Sequence, residues 1–484
     1  MLTLTKKPPL FERYGLMGFD ICARFGEIGS LLIDLRPERV KKKQEVEFFR
    51  GLQENLGEEV RCSYDDWSFC GSIHDIAVEA PTSILRLTLK DNLAKVSSAF
   101  RSQVYADQTI EEIIAKVLPS RFTHECLPGF GSLRVKLAIQ YQESDFASLK
   151  RLINSRGGQI WSAGDTIYVG AILNGKPKVL RLGSDILDYA ISTSLGPEEV
   201  ALKSMGYKEN TLRLSRITLP EKDRGRIQES TKTGRRKHQG KVCIHGVVED
   251  DGDDSLPLLA KSYLSSGAAG RLVITGMLDK LLNIGTCINV VDGTGGSSSA
   301  SNRESLIVRA LKASWRYDTG SNFYFEACAP EGLLEPSALT HMELHASPAV
   351  VEETNDNLNR VRVIFPWDEN ECVTPWLRIA SPYWGDGHMH YIPPKKGDTV
   401  LVVWGQDDLD PIVLGCLCVG QSISESSESF VLKTDNGQTI LIGKKNIKIV
   451  NESGGGKSEV EILPNKIVMD SDKIEFKTKK FDVK

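Results

Sequence analysis

No run of apolar residues in this 484-residue chain approaches the roughly 18 that a membrane-spanning helix needs, so no transmembrane helix is expected. There is no CxxC pair either. The ten cysteines, at 22, 62, 70, 126, 243, 287, 328, 372, 416 and 418, lack zinc-finger spacing. In a chain of this size that scatter argues against a disulfide framework and for reduced thiols made in the cytosol. An excess of one charge is also missing. Sixty basic and 64 acidic residues leave a net charge of −4, so no global basic field attracts nucleic acid. The opening MLTLTKKPPLFERYG has no apolar signal core, so synthesis in the cytoplasm without a signal peptide is expected. What is present is enough to fold: apolar residues make up 40% of a length that suits about three domains.

The most informative stretch is Val361–Gly420. Short β-like segments at Val361–Phe365, Trp376–Ala380, Thr399–Trp404 and Ile412–Leu417 are punctuated by Pro, Gly and Asp, as a small closed barrel requires. Four of the seven tryptophans, Trp367, Trp376, Trp384 and Trp404, lie here. Upstream, the chain to about Asp91 reads mainly as β, with Gly29–Leu35, Glu59–Tyr64 and Phe69–Glu79 alternating and Gln44–Leu56 suggesting a helix. Thr109–Leu118 places Ile110, Ile113, Ile114 and Val117 at helical spacing behind a Thr109 cap. Ser144–Ser155 does the same with Phe146, Leu149, Leu152 and Ile153. Gly157 and Gly158 stop that helix, and a hairpin of Gln159–Trp161 with Thr166–Val169 follows. Thr211–His245 is charge-rich and reads as a loop or strand excursion. A helix is expected over Leu256–Leu264, strands at Leu272–Leu278, Ile288–Val291, Ser305–Ala313 and Tyr324–Ala327, and a connector over Pro330–Asn359.

From Ser422 to Lys484 the texture changes to very short alternating strands joined by DNG, GKKN, NESGGGKS, PNK and SDK turns. Ile440, Ile442, Ile447, Ile449, Ile462, Ile467, Met469, Ile474 and Phe476 line one face, and charged or amide residues the other. Such strands cannot bury that face alone, and their open edges need partners. Three copies wound about one axis into a β-prism would meet the need, which predicts a stiff homotrimeric rod.

Several segments resemble the VgrG-type spike proteins of contractile injection systems. In the barrel these are RVIFPWD, WLRIASPYWG, HYIPPKKGDTVLVVW and DPIVLGCLCVG. Ahead of it, IQYQESDFASLKRLINSRGGQIW (Ile139–Trp161) resembles the family's QYxESDFxFLxRLxxxxG segment, and Ser97–Leu118 the segment before that. The matches span most of Ser97–Gly420 in the family's order. The resemblance implies a mainly β fold with some α: a hub of two β-barrel-like modules plus α/β elements, an OB-fold barrel, and a C-terminal trimeric β-helix or β-prism. The expected divisions are 1–95 and 96–350 for the hub modules, 351–420 for the OB-fold and 421–484 for the needle. It further implies a central spike of a baseplate that docks on a tail tube and pierces a target envelope. Its partners would be two more copies, tube and baseplate proteins, a PAAR-type tip protein, effector cargo and, transiently, the target membrane. No cofactor and no catalytic residue is implied. The particle would act outside the producing cell or deliver the spike into its target.

Other readings are weighed against this one. A phage tail hub with lytic activity would need a glycosidase between barrel and needle, and only a QSISESSES-like linker stands there. A free OB-fold that binds nucleic acid or carbohydrate would need interleaved basic and aromatic residues, which the barrel lacks. His388 and His390 lie two apart and face one side of a strand, so a threefold axis would gather six imidazoles into an octahedral site; surface histidines are the simpler reading. GGGKS at Gly454–Ser458 ends like a phosphate loop but is followed by a strand, so a turn is expected. Arg235, Arg236 and Lys237, with His238, form the dense basic cluster, a candidate docking contact for an acidic tube or baseplate surface. Cys416 and Cys418 are expected to be packed thiols.

Overall fold

The computed structural model describes residues 2–36, 52–170, 176–192, 199–206, 212–218, 241–248, 273–291, 305–328, 344–417 and 430–475, apart from short breaks within these stretches. Gln44–Leu56 for the most part, Leu256–Leu264, Arg235, Arg236, Lys237 and Phe476 lie outside the described residues. The chain forms two compact units, Met1–Leu417 and Cys418–Lys484.

The largest element of the first unit is a twelve-stranded sheet. Its main path runs Thr3–Lys6, Glu59–Tyr64, Trp67–Glu79, Ile84–Asp91, Ser30–Arg36, Gly15–Arg24, Ser305–Arg316, Gly320–Cys328, Val273–Leu278 and Ile186–Ser192. Alternation makes these strands one-sided. In ILRLTLKD, Leu85, Leu87 and Leu89 are fully buried while the residues between them are half exposed. The sheet closes over sequence distance where Gly15–Arg24 pairs antiparallel with Ser305–Arg316, bringing Phe19 opposite Trp315 with rings stacked 5.7 Å apart. Strands from both sides of residue 95 thus share one core.

The sheet hands over to an α/β layer at Asp91. This residue ends a sheet strand and caps the helix Asn92–Ser97, accepting from the Leu93 N–H at 3.0 Å. Its other oxygen accepts from the Gly29 N–H at 2.8 Å, tying the turn at Gly29 to the helix start. Helix Ile110–Val117 begins with a reciprocal capping box: Thr109 Oγ1 accepts from the Glu112 N–H, and Glu112 Oε2 from the Thr109 N–H. Helix Asp145–Asn154 is capped by Ser144 and buries Phe146, Leu149, Leu152 and Ile153. The expected hairpin pairs Gln159–Ala163 with Thr166–Gly170. These pieces enclose a second core.

The barrel is a five-stranded sheet. Four of its strands are Val361–Ile364, Arg378–Ile379, Thr399–Gly405 and Ile412–Cys416, close to expectation. The fifth corrects the sequence reading. Leu344–Thr354, inside the stretch taken as a connector, is an eleven-residue strand that pairs with both Val361–Ile364 and Thr399–Gly405. Its inward residues Ser347, Ala349 and Val351 are small, so the apolar signal of the strand is weak although its alternation is regular.

The second unit is an antiparallel meander of Phe430–Lys433, Gln438–Ile442, Ile447–Ser453, Gly456–Leu463 and Lys466–Asp470, each strand bonded to its neighbour in sequence. Its ladder bonds are therefore made within one chain.

Candidate functional site

Two structures set this chain apart from a generic β protein: the joint that holds the barrel, and the bare face of the tail.

The joint is a two-stranded ribbon, Phe100–Thr109 with Arg134–Ser144. Because side chains alternate across a strand, neighbouring rungs point to opposite faces. Tyr105 and Ala138 face each other and enter the α/β core. Val104 and Ile139, one rung away, enter the barrel core with Phe365, Trp404 and Val413. Tyr141 extends this second contact. Its ring lies 5.3 Å from Trp367, 5.6 Å from Trp404 and 5.9 Å from His345. Trp367 stacks on Phe365 at 4.7 Å and donates its indole N–H to Ser347 Oγ at 2.8 Å. Two of the four barrel tryptophans are thus part of the lock. A third, Trp376, carries the Arg362 guanidinium 5.9 Å over its ring.

A buried polar network backs the ribbon. Gln140 is fully buried; its amide donates to Asp145 Oδ1 at 2.9 Å and to the Glu143 carbonyl at 3.1 Å, and its oxygen accepts from Tyr105 OH at 3.3 Å. Asp145 also pairs with Arg101. Arg151 reaches back to Glu143 Oε1 at 2.6 Å and to the Ile139 carbonyl at 2.8 Å. Burial pushes the Tyr105 phenol well above its ordinary range, so it remains a donor. The segment IQYQESDF therefore serves the joint almost residue by residue. Its resemblance located it in the sequence; its task was not legible, because the partners Arg101 and Tyr105 lie some forty positions upstream.

The tail brings the expected needle residues together in two rows. Phe430, Ile442, Ile447, Ile462 and Ile467 sit opposite one another from strand to strand, and so do Leu432, Ile440, Ile449, Val460 and Met469. The rows lie on one face, since their residues are two apart along each strand. Phe430, Leu432 and Val460 complete them and were missed: Phe430 and Leu432 flank Val431 in a contiguous apolar run that does not alternate, and Val460 stands between two glutamates. Among the described residues nothing covers this face: Ile442 is 45% exposed, Ile449 46% and Ile467 60%. Ile474, 46% exposed, lies beyond the last strand. The opposite face carries the ion pairs Lys448–Glu459 at 2.8 Å and Lys457–Glu459 at 3.1 Å. These lysines hold the Glu459 carboxyl below its usual range.

The remaining candidates separate. Lys457 and Ser458 lie in the strand Gly456–Leu463, which pairs with Ile447–Ser453, while Gly454 and Gly455 fall outside the described residues. Cys416 is exposed, which corrects the expectation of a packed thiol: it lies at the end of the last barrel strand, beyond the core. Cys418 falls outside the described residues. His388 and His390 lie on a short strand opposite Gly385 and Tyr383; their side chains fall outside the described set. Among the described residues no group of three or more His, Cys, Asp or Glu is arranged to hold a metal. No helix among them is long and apolar enough to cross a membrane. The hub sheet bears an open depression of about 500 Å³, lined by Arg24, Asp188, Tyr189, Lys312, Tyr324 and Glu326, a mixture of both charges.

Comparison with known proteins agrees with this architecture. Residues 347–417 match the type VI secretion system/phage-baseplate injector OB domain. The chain is 24% identical over 375 residues to the type VI secretion system spike protein VgrG3 of Vibrio cholerae, an alignment covering 68% of this chain and 35% of that protein. It is 39% identical over 67 residues to VgrG4b of Pseudomonas aeruginosa, covering 13% of this chain and 8% of the relative. The chain thus spans about a third or less of the curated relatives it matches. Among solved structures, the E. coli c3393 protein, a type VI secretion component described as similar to the T4 tail proteins gp27 and gp5, aligns with a TM-score of 0.52 at 13% identity, over 86% of this chain and all of that one. The lidless PdpA–VgrG complex aligns with a TM-score of 0.58 at 8% identity, over 95% of this chain and 94% of that one. At those identities the structures attest the fold alone. Residues 347–417 thus carry an injector OB domain, and the chain around them is similar in sequence to VgrG-type spike proteins and in fold to hub-spike structures of contractile injection systems.

Proposed function

We propose that the chain is the homotrimeric central spike of a contractile injection particle, with a hub that docks on the tail tube and a tail that forms the leading needle. The observation that carries the reading is the tail face. Two apolar rows stand uncovered on a sheet whose five strands already pair with one another within the chain. They span about 14 Å along the strands and about 20 Å across five of them, an apolar face of roughly 280 Å². The largest apolar patch on a monomer is of that order and is often functional. In this reading residues 1–95 and 96–350 build the hub, 351–420 the OB-fold and 421–484 the needle. Ile440, Ile442, Ile447, Ile449, Ile462, Ile467, Met469, Ile474 and Phe476 form the shared needle core.

The action is mechanical rather than catalytic. The last barrel strand ends at Cys416 and the first tail strand begins at Phe430, so no inserted hydrolase separates barrel from needle. Sheath contraction would drive the spike through a target envelope, so that it acts outside the producing cell or inside its target. Tube and baseplate proteins are the expected partners, with Arg235, Arg236 and Lys237 as a docking contact. A PAAR-type protein would cap the needle, and cargo would ride on the hub. A relative of the same fold is seen bound to another protein, PdpA, which supports a hub that accepts partners.

Light scattering on the purified protein, joined to electron micrographs, tests the reading. A mass of three chains and particles with a broad head and thin needle are expected. A monomer would sink it, and a monomer that binds single-stranded nucleic acid would favour the free OB-fold instead.

A further inference from the structure

Beside the two apolar rows runs a third. Gln438 lies opposite Asn451, and Asn451 opposite Ser458. Ser471 continues the line, its hydroxyl 2.9 Å from that of Ser458. These residues stand two positions along their strands from Ile440, Ile449, Val460 and Met469, so they occupy the same face, at the edge towards Gly437 and Gly456. The face is thus two-thirds apolar and one-third polar, divided lengthwise.

The polar row differs from its neighbours in what it needs. Thr434 Oγ1 donates to Gln438 Oε1 and accepts from the Gln438 N–H at 3.2 Å. Ser471 bonds both Ser458 and the Lys473 carbonyl, the latter at 3.3 Å. Three of its four members therefore have partners within their own chain. Burying such amides and hydroxyls against apolar side chains costs free energy and gains nothing, whereas covering the isoleucine rows is favourable.

The occupant of the face is a second copy of this chain, on two grounds. The rows repeat at the spacing of stacked strands, about 4.8 Å, and another sheet of the same step meets them rung for rung. The three rows hold no charged residue, so a charged partner finds no complement there; the charges, Lys448, Glu459 and Glu461, lie on the opposite face.

We propose that Gln438, Asn451, Ser458 and Ser471 form a water-exposed seam between copies, so that neighbouring tails overlap over the two apolar rows and stop at the third. The seam limits how far one face slides across the next, as polar positions at the border of an apolar stripe define pairing in other assemblies. This inference rests on the trimeric needle proposed above.

Site-resolved thiol labelling of the full-length native protein tests it. Ile449→Cys, Ser458→Cys and Asn451→Cys variants are treated with a maleimide, and modification at each introduced cysteine is read by peptide mass spectrometry. The cysteines at 451 and 458 should label at the rate of the same site in denatured protein, and that at 449 at least about tenfold more slowly. Protection at 451 and 458 equal to that at 449 would place the polar row inside the interface and overturn the seam while leaving the needle core intact. Free labelling at all three sites would show a face that no copy covers, and would overturn the needle core and the seam together.

Discussion

Val104 and Tyr105 are consecutive in sequence, yet their side chains end in different hydrophobic cores, one in the barrel and one in the α/β layer. A ribbon with both faces buried has no freedom to tilt without opening one core or the other. The barrel is therefore held by packing rather than by a tether.

The first prediction concerns that joint. Tyr141→Ala removes the ring that touches His345, Trp367 and Trp404 together. Tyr141 is half-buried, so the loss should fall near the low end of the ~3–5 kcal/mol seen for aromatic truncation. Calorimetry should show the barrel melting ahead of the hub in the variant. A single transition shifted as a whole would mean that the barrel gains little from Tyr141.

Gln140 and Asp145 should be coupled. Removing Gln140 by Gln140→Ala leaves Asp145 and Tyr105 with one partner fewer in a dry site, a cost of about 1–3 kcal/mol. Asp145→Ala strands Gln140 as well and frees Arg101, whose side chain is 41% exposed and so recovers part of its solvation. The double variant should lose less than the sum of the two single losses in denaturant titrations. Strict additivity would argue against the network.

Asp91 sets a pH dependence. Burial pushes its carboxyl up to about 7, against the pull of the Gly29, Leu93 and Ala94 N–H groups. Since the folded value lies above the unfolded one of about 3.9, the contribution to stability is full below the unfolded value. It declines as pH rises and is gone above about 7. Asp91→Asn should flatten that slope between about pH 4 and 7, as read from urea midpoints across the range. An unchanged slope would assign the titration to other groups.

Gly437 is the most crowded of the tail's described glycines. It sits at φ +83°, and a Cβ there would lie 2.2 Å from the Glu452 carbonyl oxygen. Gly437→Ala should therefore destabilise the turn by more than the ~1 kcal/mol of an uncrowded left-handed site. Faster amide exchange in Gln438–Ile442 and Ile447–Ser453 would register it.

His388 and His390 admit a direct check by elemental analysis of the pure assembly. Surface histidines predict no stoichiometric metal. One metal ion per three chains, lost in a His388→Ala, His390→Ala double variant, would establish an axial imidazole site.

Much of this could be read before any coordinates. Helix starts at Thr109 and Ser144 were legible because caps and apolar periodicity are local signals. The apolar face of the tail was legible because its isoleucines alternate through charged residues. The strand Leu344–Thr354 was hidden by its small inward side chains, and the hub sheet by its pairings, which join Phe19 to Trp315 across nearly three hundred positions. The joint was hidden for a related reason: Tyr141 looks like any strand tyrosine until the barrel is placed against it.

The tail sheet has a further consequence in length. Five strands at about 4.8 Å per step give a stack about 20 Å deep, and each hairpin adds two residues to both apolar rows. Inserting or deleting one hairpin would change the depth by about 10 Å while leaving every other rung in place. The tail is in that sense a ruler with interchangeable divisions, and its reach can change without any redesign of what holds it together.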